Sequence, residues 1–274
     1  MRLASLRRCH AHPRLGWQVV HTGLHSVTLD LRVCIASSFL ARMKDAACLL
    51  VVACALACIG RSVATVGVDV SSSVSESEWK CLQSPGGQGA VEFAVVRVFQ
   101  SSGRVDPNGA KTIIAAKNAG IKHVDGYIFP CVPCGDAKTQ VDKTVDALRD
   151  AGAPYGMLWY DIEPLSWSNN KNENTKFLKE MIDAGKARGV RFGIYSNWNS
   201  WSEIMGGWTY PASLGLPLWY PHYDDSKSFS DFRAFGGWSK PNIKQYLGTH
   251  TSCGVGVDYN WYPGAVDTYL NATK

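Results

Sequence analysis

Between residues 65 and 200, short apolar runs alternate with longer stretches whose apolar residues recur every three or four positions. The runs read as strands and the periodic stretches as helices. Residues 66–70 form the first strand and a short helix follows at 76–82. Residues 93–99 form the second, with little polar alternation, as in a sheet covered on both faces. A helix over 107–119 closes at Gly120, and residues 123–129 make the third strand. The helix over 136–151 places Val141, Val145 and Leu148 on one face before Gly152 ends it. Strand four spans 155–163. The next helix, 172–188, carries Phe177, Leu178, Met181 and Ile182 at core spacing, and 191–195 is strand five. After a short helix at 198–205 the helical signals fade. Residues 216–220, 243–247 and 255–261 then read as strands between loops rich in Gly, Pro, Ser and aromatics.

Strands and helices alternating at this spacing predict a parallel sheet with right-handed crossovers. Eight strands in about 200 residues fit a closed barrel. The expected α/β fold is an irregular TIM-like barrel, roughly five β/α units followed by three strands. An open doubly wound sheet is the alternative, but Ser71-Ser72-Ser73 is not the glycine-rich phosphate loop such a sheet carries after its first strand.

The fourth strand changes character at its end, where the apolar run Met157-Leu158-Trp159-Tyr160 meets Asp161-Ile162-Glu163 and Pro164 stops it. Strand side chains alternate, so Trp159, Asp161 and Glu163 share one face, the two acids roughly 6–7 Å apart at Cα. Two such carboxyls resist double ionisation, leaving one protonated near neutral pH, as general acid catalysis at a glycosidic oxygen requires. Solvated acids at a strand end are the plainer reading. Gly67-Val68-Asp69-Val70 in the first strand is echoed by Gly256-Val257-Asp258-Tyr259 in the last. Barrel closure makes those strands neighbours and brings Asp69 and Asp258 towards Asp161 and Glu163 at the C-terminal rim. Four acids converging on one rim are harder to explain by solvation.

Of the chain's 28 basic and 23 acidic residues, eight and two fall within 1–64, leaving 20 and 21 for 65–274, a net charge of −1. The domain is therefore not expected to bind nucleic acid. Residues 46–59 are an apolar run of signal-peptide length, short for a membrane span. Met43-Lys44 precedes it and Ser62-Val63-Ala64 offers small residues for cleavage. The expected organisation is an N-terminal extension with a signal peptide (1–64, the signal about 43–64) and one barrel domain, 65–274, secreted and without stable membrane association. A retained signal anchor is the alternative. Removal of the leader leaves Cys81, Cys131, Cys134 and Cys253, an even number that suits two structural disulfides and allows three pairings. Cys131-Val132-Pro133-Cys134 lacks both the thioredoxin-like surroundings of a redox site and a second close ligand pair for zinc. No metal-ligand cluster or nucleotide loop stands out, so neither metal nor cofactor is expected.

Several ordered pieces together resemble glycoside hydrolase family 25, the Chalaropsis-type lysozymes, and most of all their secreted nematode and protist-type branch. They are Gly67-Val68-Asp69-Val70-Ser71, Val105-Asp106-Pro107-Asn108, Ala119-Gly120-Ile121, Gly126-Tyr127-Ile128-Phe129, Asp161-Ile162-Glu163, Gly193-Ile194-Tyr195, Leu218-Trp219 and Gly256-Val257-Asp258-Tyr259-Asn260. The chain departs from the family at Ile128, where a histidine is common, and at Gln100-Ser101-Ser102, where an acid is common. The resemblance implies an irregular β/α barrel that hydrolyses the β-1,4 bond between N-acetylmuramic acid and N-acetylglucosamine in peptidoglycan. It places Glu163 as general acid, with Asp161, Asp69 and Asp258 as the acidic rim. Tyr127, Tyr195, Trp219 and Tyr220 are expected to line the sugar groove, since sugar C–H faces stack on aromatic rings. The expected partner is bacterial cell-wall peptidoglycan, met by a monomer with a defensive or digestive role. A chitinase-like hydrolase and a sugar-binding protein without catalysis are the competing readings.

Overall fold

The computed structural model describes residues 64–264 apart from Pro85 and Ser166. Residues 1–63 of the expected leader and a formal glycosylation sequon at Asn271 lie outside the described residues, and the leader's expected last residue, Ala64, opens the first strand.

Nine strands alternate with helices: β1 Ala64–Val70, α1 Glu76–Leu82, β2 Val91–Gln100, β3 Arg104–Val105, α2 Gly109–Asn118, β4 His123–Ile128, a 3-10 turn Val132–Cys134, α3 Ala137–Asp150, β5 Leu158–Asp161, α4 Lys171–Ala187, β6 Phe192–Tyr195, α5 Trp198–Ile204, α6 Tyr210–Ser213, β7 Leu218–Pro221, β8 Ile243–Ser252 and β9 Val255–Pro263. Eight of the strands close into a ring in the order β1-β9-β8-β7-β6-β5-β4-β2, with β2 returning to β1. The short β3 pairs antiparallel on β2 outside the ring. The expected five β/α units and three later strands are present; β3 and α6 are additions.

The expectation of a wholly parallel sheet needs correction. β9 runs antiparallel to both β8 and β1. A parallel neighbour needs a crossover of a dozen or more residues, whereas only two residues separate β8 from β9. Those two, Cys253 and Gly254, take the left-handed φ values of 53° and 79° that a two-residue hairpin turn requires. The ring is therefore mixed, and the reversal sets Asp258 directly opposite Asp69.

Side-chain alternation sorts the barrel into two cores. On β5, Leu158 and Tyr160 face outward into the large layer shared with the helices, where Ile113, Val141, Val145, Leu178 and Met181 pack. Trp159 faces inward, joining Phe93, Val95, Met157, Tyr195, Trp219, Ile243 and Tyr262 in a smaller core that fills the barrel interior. Two glycines make room for it. A Cβ on Gly67 would lie 2.4 Å from the Phe93 ring, and one on Gly193 2.4 Å from the Trp159 ring.

Local signals fix the helix starts. Ser75 and Glu78 form a reciprocal capping box on α1, and Asp136 and Asn170 cap α3 and α4 through their side chains. Both expected disulfides form. Cys81 at the end of α1 joins Cys253 in the β8–β9 turn across 172 residues, and Cys131 joins Cys134 across the 3-10 turn. Among the described residues no helix is long and apolar enough to cross a membrane.

Candidate active site

The inner faces of the strands become polar at the C-terminal rim of the parallel strands, and there the barrel opens into a cavity of about 160 Å³. Asp69 enters from β1, Arg97 from β2, Tyr127 from β4, Asp161 and Glu163 from the end of β5, Tyr195 from β6, Trp219 from β7, Gln245 from β8 and Asp258 from β9. A wider depression of about 440 Å³ shares Asp69, Tyr127 and Asp258 with it. It runs over Ser71 and Ser72 towards Thr249, His250 and Thr251 on the hairpin. All four acids named from the sequence thus meet at one cavity.

Their surroundings differ. Asp161 is buried, and its Oδ1 has no hydrogen-bond partner among the described residues. Burial, then the charges of Glu163 and Asp69, holds its carboxyl well above the usual range. Asp69 is pushed up to about 8 by burial and by Asp258, against the opposing bonds that Asn260 and Gln245 donate to its Oδ2, both 2.7 Å long. Asp258 is half-buried and raised by that burial, against the backbone N–H of Thr249, which donates to its Oδ1 at 2.6 Å. Glu163 sits partly exposed at the mouth, raised by desolvation first and by the charge of Asp258 second. The cluster therefore holds protons at a pH where isolated carboxyls would have lost them.

Of the four aromatics named from the sequence, Tyr127, Tyr195 and Trp219 face this cavity, and both tyrosines pack edge-on to Trp219. Tyr220 does not. It is the outward residue after Trp219, its hydroxyl donating to Asp231 Oδ2 at 3.1 Å and its ring edge-on to Phe232. The expected groove contact of Tyr220 is thus replaced by a packing role, as strand alternation dictates. Tyr223, three residues on, takes the place at the mouth instead, 58% exposed, with its hydroxyl donating to Gln245 Oε1 at 2.8 Å. Tyr223, Gln245 and Arg97 were not foreseen. Tyr223 lies in a loop with no periodicity to orient it, and a neutral amide in a strand carries no signal of its own. Arg97 donates through Nε to Asp106 at 2.8 Å and through Nη2 to Ser71 O at 2.7 Å, tying β2 to the loops on either side.

One cluster among the described residues has the composition of a metal site, His222, Asp224 and Asp231. The Lys244 ammonium, fully buried, lies 2.8 Å from both Asp224 Oδ2 and Asp231 Oδ1 and fills the position of a cation. This network braces the outer side of β8.

Comparison with known proteins agrees with this architecture. Residues 61–246 match the family described as "Lys-1: Lysozyme-like protein 1". The "Probable GH family 25 lysozyme 2" of Dictyostelium discoideum is 44% identical over 197 residues, which span 72% of this chain and 90% of that protein. "Lysozyme-like protein 5" of Caenorhabditis elegans is 42% identical over 211 residues, 76% of this chain and 96% of that one. Among solved structures, the Clostridium perfringens spore cortex lytic enzyme SleM shares the fold with a TM-score of 0.58 at 22% identity, covering 76% of this chain and 70% of that one.

Proposed function

Because the chain belongs to the GH family 25 lysozymes, we propose that it is a secreted muramidase. It hydrolyses the β-1,4 bond between N-acetylmuramic acid and N-acetylglucosamine in bacterial peptidoglycan. The observation that carries this reading is Glu163, a partly exposed carboxyl whose pKa is raised by desolvation and by Asp258, at the mouth of a cavity lined by three further acids. A carboxyl with that raised pKa donates its proton to the leaving glycosidic oxygen and, once ionised, removes a proton from the attacking water.

The acids divide the remaining work by environment. Asp258 is raised less than the deeply buried Asp161, and after desolvation its charge is the next cause that raises Glu163. It supplies negative charge near the oxocarbenium-like centre. Asp69, raised to about 8, and Asp161, held well above the usual range by burial, act as hydrogen-bonding groups that orient the sugar, including its 2-acetamido group. Tyr127 and the exposed ring of Tyr223 offer faces and edges to the sugar rings, backed by the buried Trp219. The enzyme works as a monomer without metal or cofactor. Two disulfides among the four cysteines of the barrel suit an oxidising, extracellular setting and hence a role in defence or digestion.

The purified protein incubated with peptidoglycan releases fragments whose new reducing ends are N-acetylmuramic acid, identified by mass spectrometry after reduction. New N-acetylglucosamine ends, or cleavage of chitin at a comparable rate, would replace this reading with the chitinase-like one. Binding without release would make the protein a lectin.

A further inference from the structure

Gln245 lies on β8 with its side chain inside the barrel, whereas its neighbour Lys244 points outward. Its carboxamide makes four hydrogen bonds. Nε2 donates to Asp69 Oδ2 at 2.7 Å and to Asp258 Oδ2 at 3.3 Å, and Oε1 accepts from Tyr195 at 2.7 Å and Tyr223 at 2.8 Å. A primary amide has two N–H groups and two lone pairs, so its full capacity is used. The two tyrosine hydroxyls donate to its oxygen, which leaves the nitrogen for the acids. Arg97 on β2, Tyr127 on β4, and Asp161 and Glu163 at the end of β5 face the same cavity. The amide is thus a neutral link between four elements at the centre of the titrating groups.

We propose that Gln245 is a positioning residue for the reaction, holding Asp69 and Asp258 as two separately oriented carboxyls and confining the proton of Asp69 to its Oδ1. The geometry supplies the reason. Asp69 Oδ2 already accepts from both Gln245 and Asn260, and a proton on that oxygen would meet two N–H groups aimed at it. Oδ1 has no hydrogen bond among the described residues, and Asp69 lines the cavity. Neutral Asp69 is therefore an O–H donor from one defined atom. A glutamate in the same place would repel both aspartates once ionised, and a lysine would neutralise them. Glutamine does neither at any pH. The catalytic consequence rests on the muramidase reading; the arrangement of the carboxyls does not.

Two measurements on the full chain separate those claims. The first is thermal unfolding of wild type and Gln245→Met from about pH 5 to about pH 9. Losing donors that favour the ionised acids leaves the variant increasingly less stable than wild type as Asp69 and Asp258 ionise, so the gap in Tm widens with pH. A gap that is the same at every pH makes Gln245 a packing residue and overturns the proposal. Gln245→Glu, which keeps the shape, matches wild type most closely at the acidic end and falls away above it. That variant decides the question if the methionine form does not fold. The second measurement is peptidoglycan turnover. Gln245→Met lowers kcat on the order of 10- to 10²-fold with little change in KM, and its acidic limb moves to higher pH as Asp258 becomes harder to ionise. Unchanged kcat and an unchanged profile count against the proposal. A wild-type protein that releases no fragments sinks the muramidase reading, while the unfolding series still decides the role of Gln245.

Discussion

Desolvation raises Glu163 first and the charge of Asp258 raises it further, and that second influence can be separated by substitution. Glu163→Gln keeps the size of the side chain but removes the transferable proton, so hydrolysis falls on the order of 10²–10⁴-fold while folding and sugar binding persist. Reducing-end release measured alongside Tm checks this, and near wild-type lysis by a folded variant would remove Glu163 from the mechanism. Asp258→Asn removes the charge that raises Glu163, so the pKa of Glu163 drops and the alkaline limb of the pH–rate profile moves to lower pH. An unmoved limb would uncouple the two residues. The local spacing Asp161-Ile162-Glu163 points to Asp161 as the source of that charge. In the folded protein the influence runs the other way, with Glu163 raising Asp161. Sequence displays neighbours two residues apart; it does not display that β9 presents an acid to the same cavity at a more exposed depth. The four acids could be read because charge at the end of an apolar strand is conspicuous. Gln245 could not, since its meaning comes from partners 176 and 13 residues away.

At the scale of single elements, the strands were legible in position and one of them not in direction. Eight apolar runs mark eight staves, yet periodicity is blind to polarity of the chain, and the hairpin that reverses β9 turns on two left-handed residues, one of them Cys253. The glycines of the first and sixth strands were visible as motif positions without a reason. The reason is the aromatic filling of the barrel, where Phe93 and Trp159 lie against Gly67 and Gly193. Gly67→Ala must therefore push the Phe93 ring from its place beside Tyr262, 5.3 Å away between ring centroids. Overpacking of this kind costs about 1–3 kcal/mol, read as a lower urea midpoint with an unchanged slope. A neutral result would mean that the interior has slack that the ring contacts do not reveal.

For the molecule as a whole, burial of acids inside the barrel makes stability depend on pH in a defined sense. Asp69 is raised to about 8 and Asp125 to about 6, burial being the largest cause for each. Asp125 keeps bonds from Met157 N and the Trp159 indole, both 3.0 Å, yet is still raised. A carboxyl with a folded pKa above its unfolded value makes the folded state bind more protons, so stability falls as pH rises from about 4 through the folded pKa. The acids held below their ordinary value are already ionised across this window and add no slope there. Tm is expected to decline steadily from about pH 5 to about pH 8, with the loss from Asp125 completed before that from Asp69. A Tm that climbs over that interval would show that the buried acids are ionised at little cost.

The pairing of β1 with β9 also governs when the cavity comes into being. Asp161, with Glu163 just beyond it, ends a strand whose parallel neighbours are made close to it along the chain, but Asp69 waits for Asp258, Asn260 and Gln245, all more than 170 residues later. Closing so long a loop is slow, and it comes late in assembly. A ribosome therefore emits most of the barrel before the acid cluster can exist. While the chain grows, Asp69 is an ordinary exposed carboxylate, ionised in water and contributing nothing to a reaction. The strand that completes the barrel, β9, is the one that switches the site on as it leaves the ribosome tunnel.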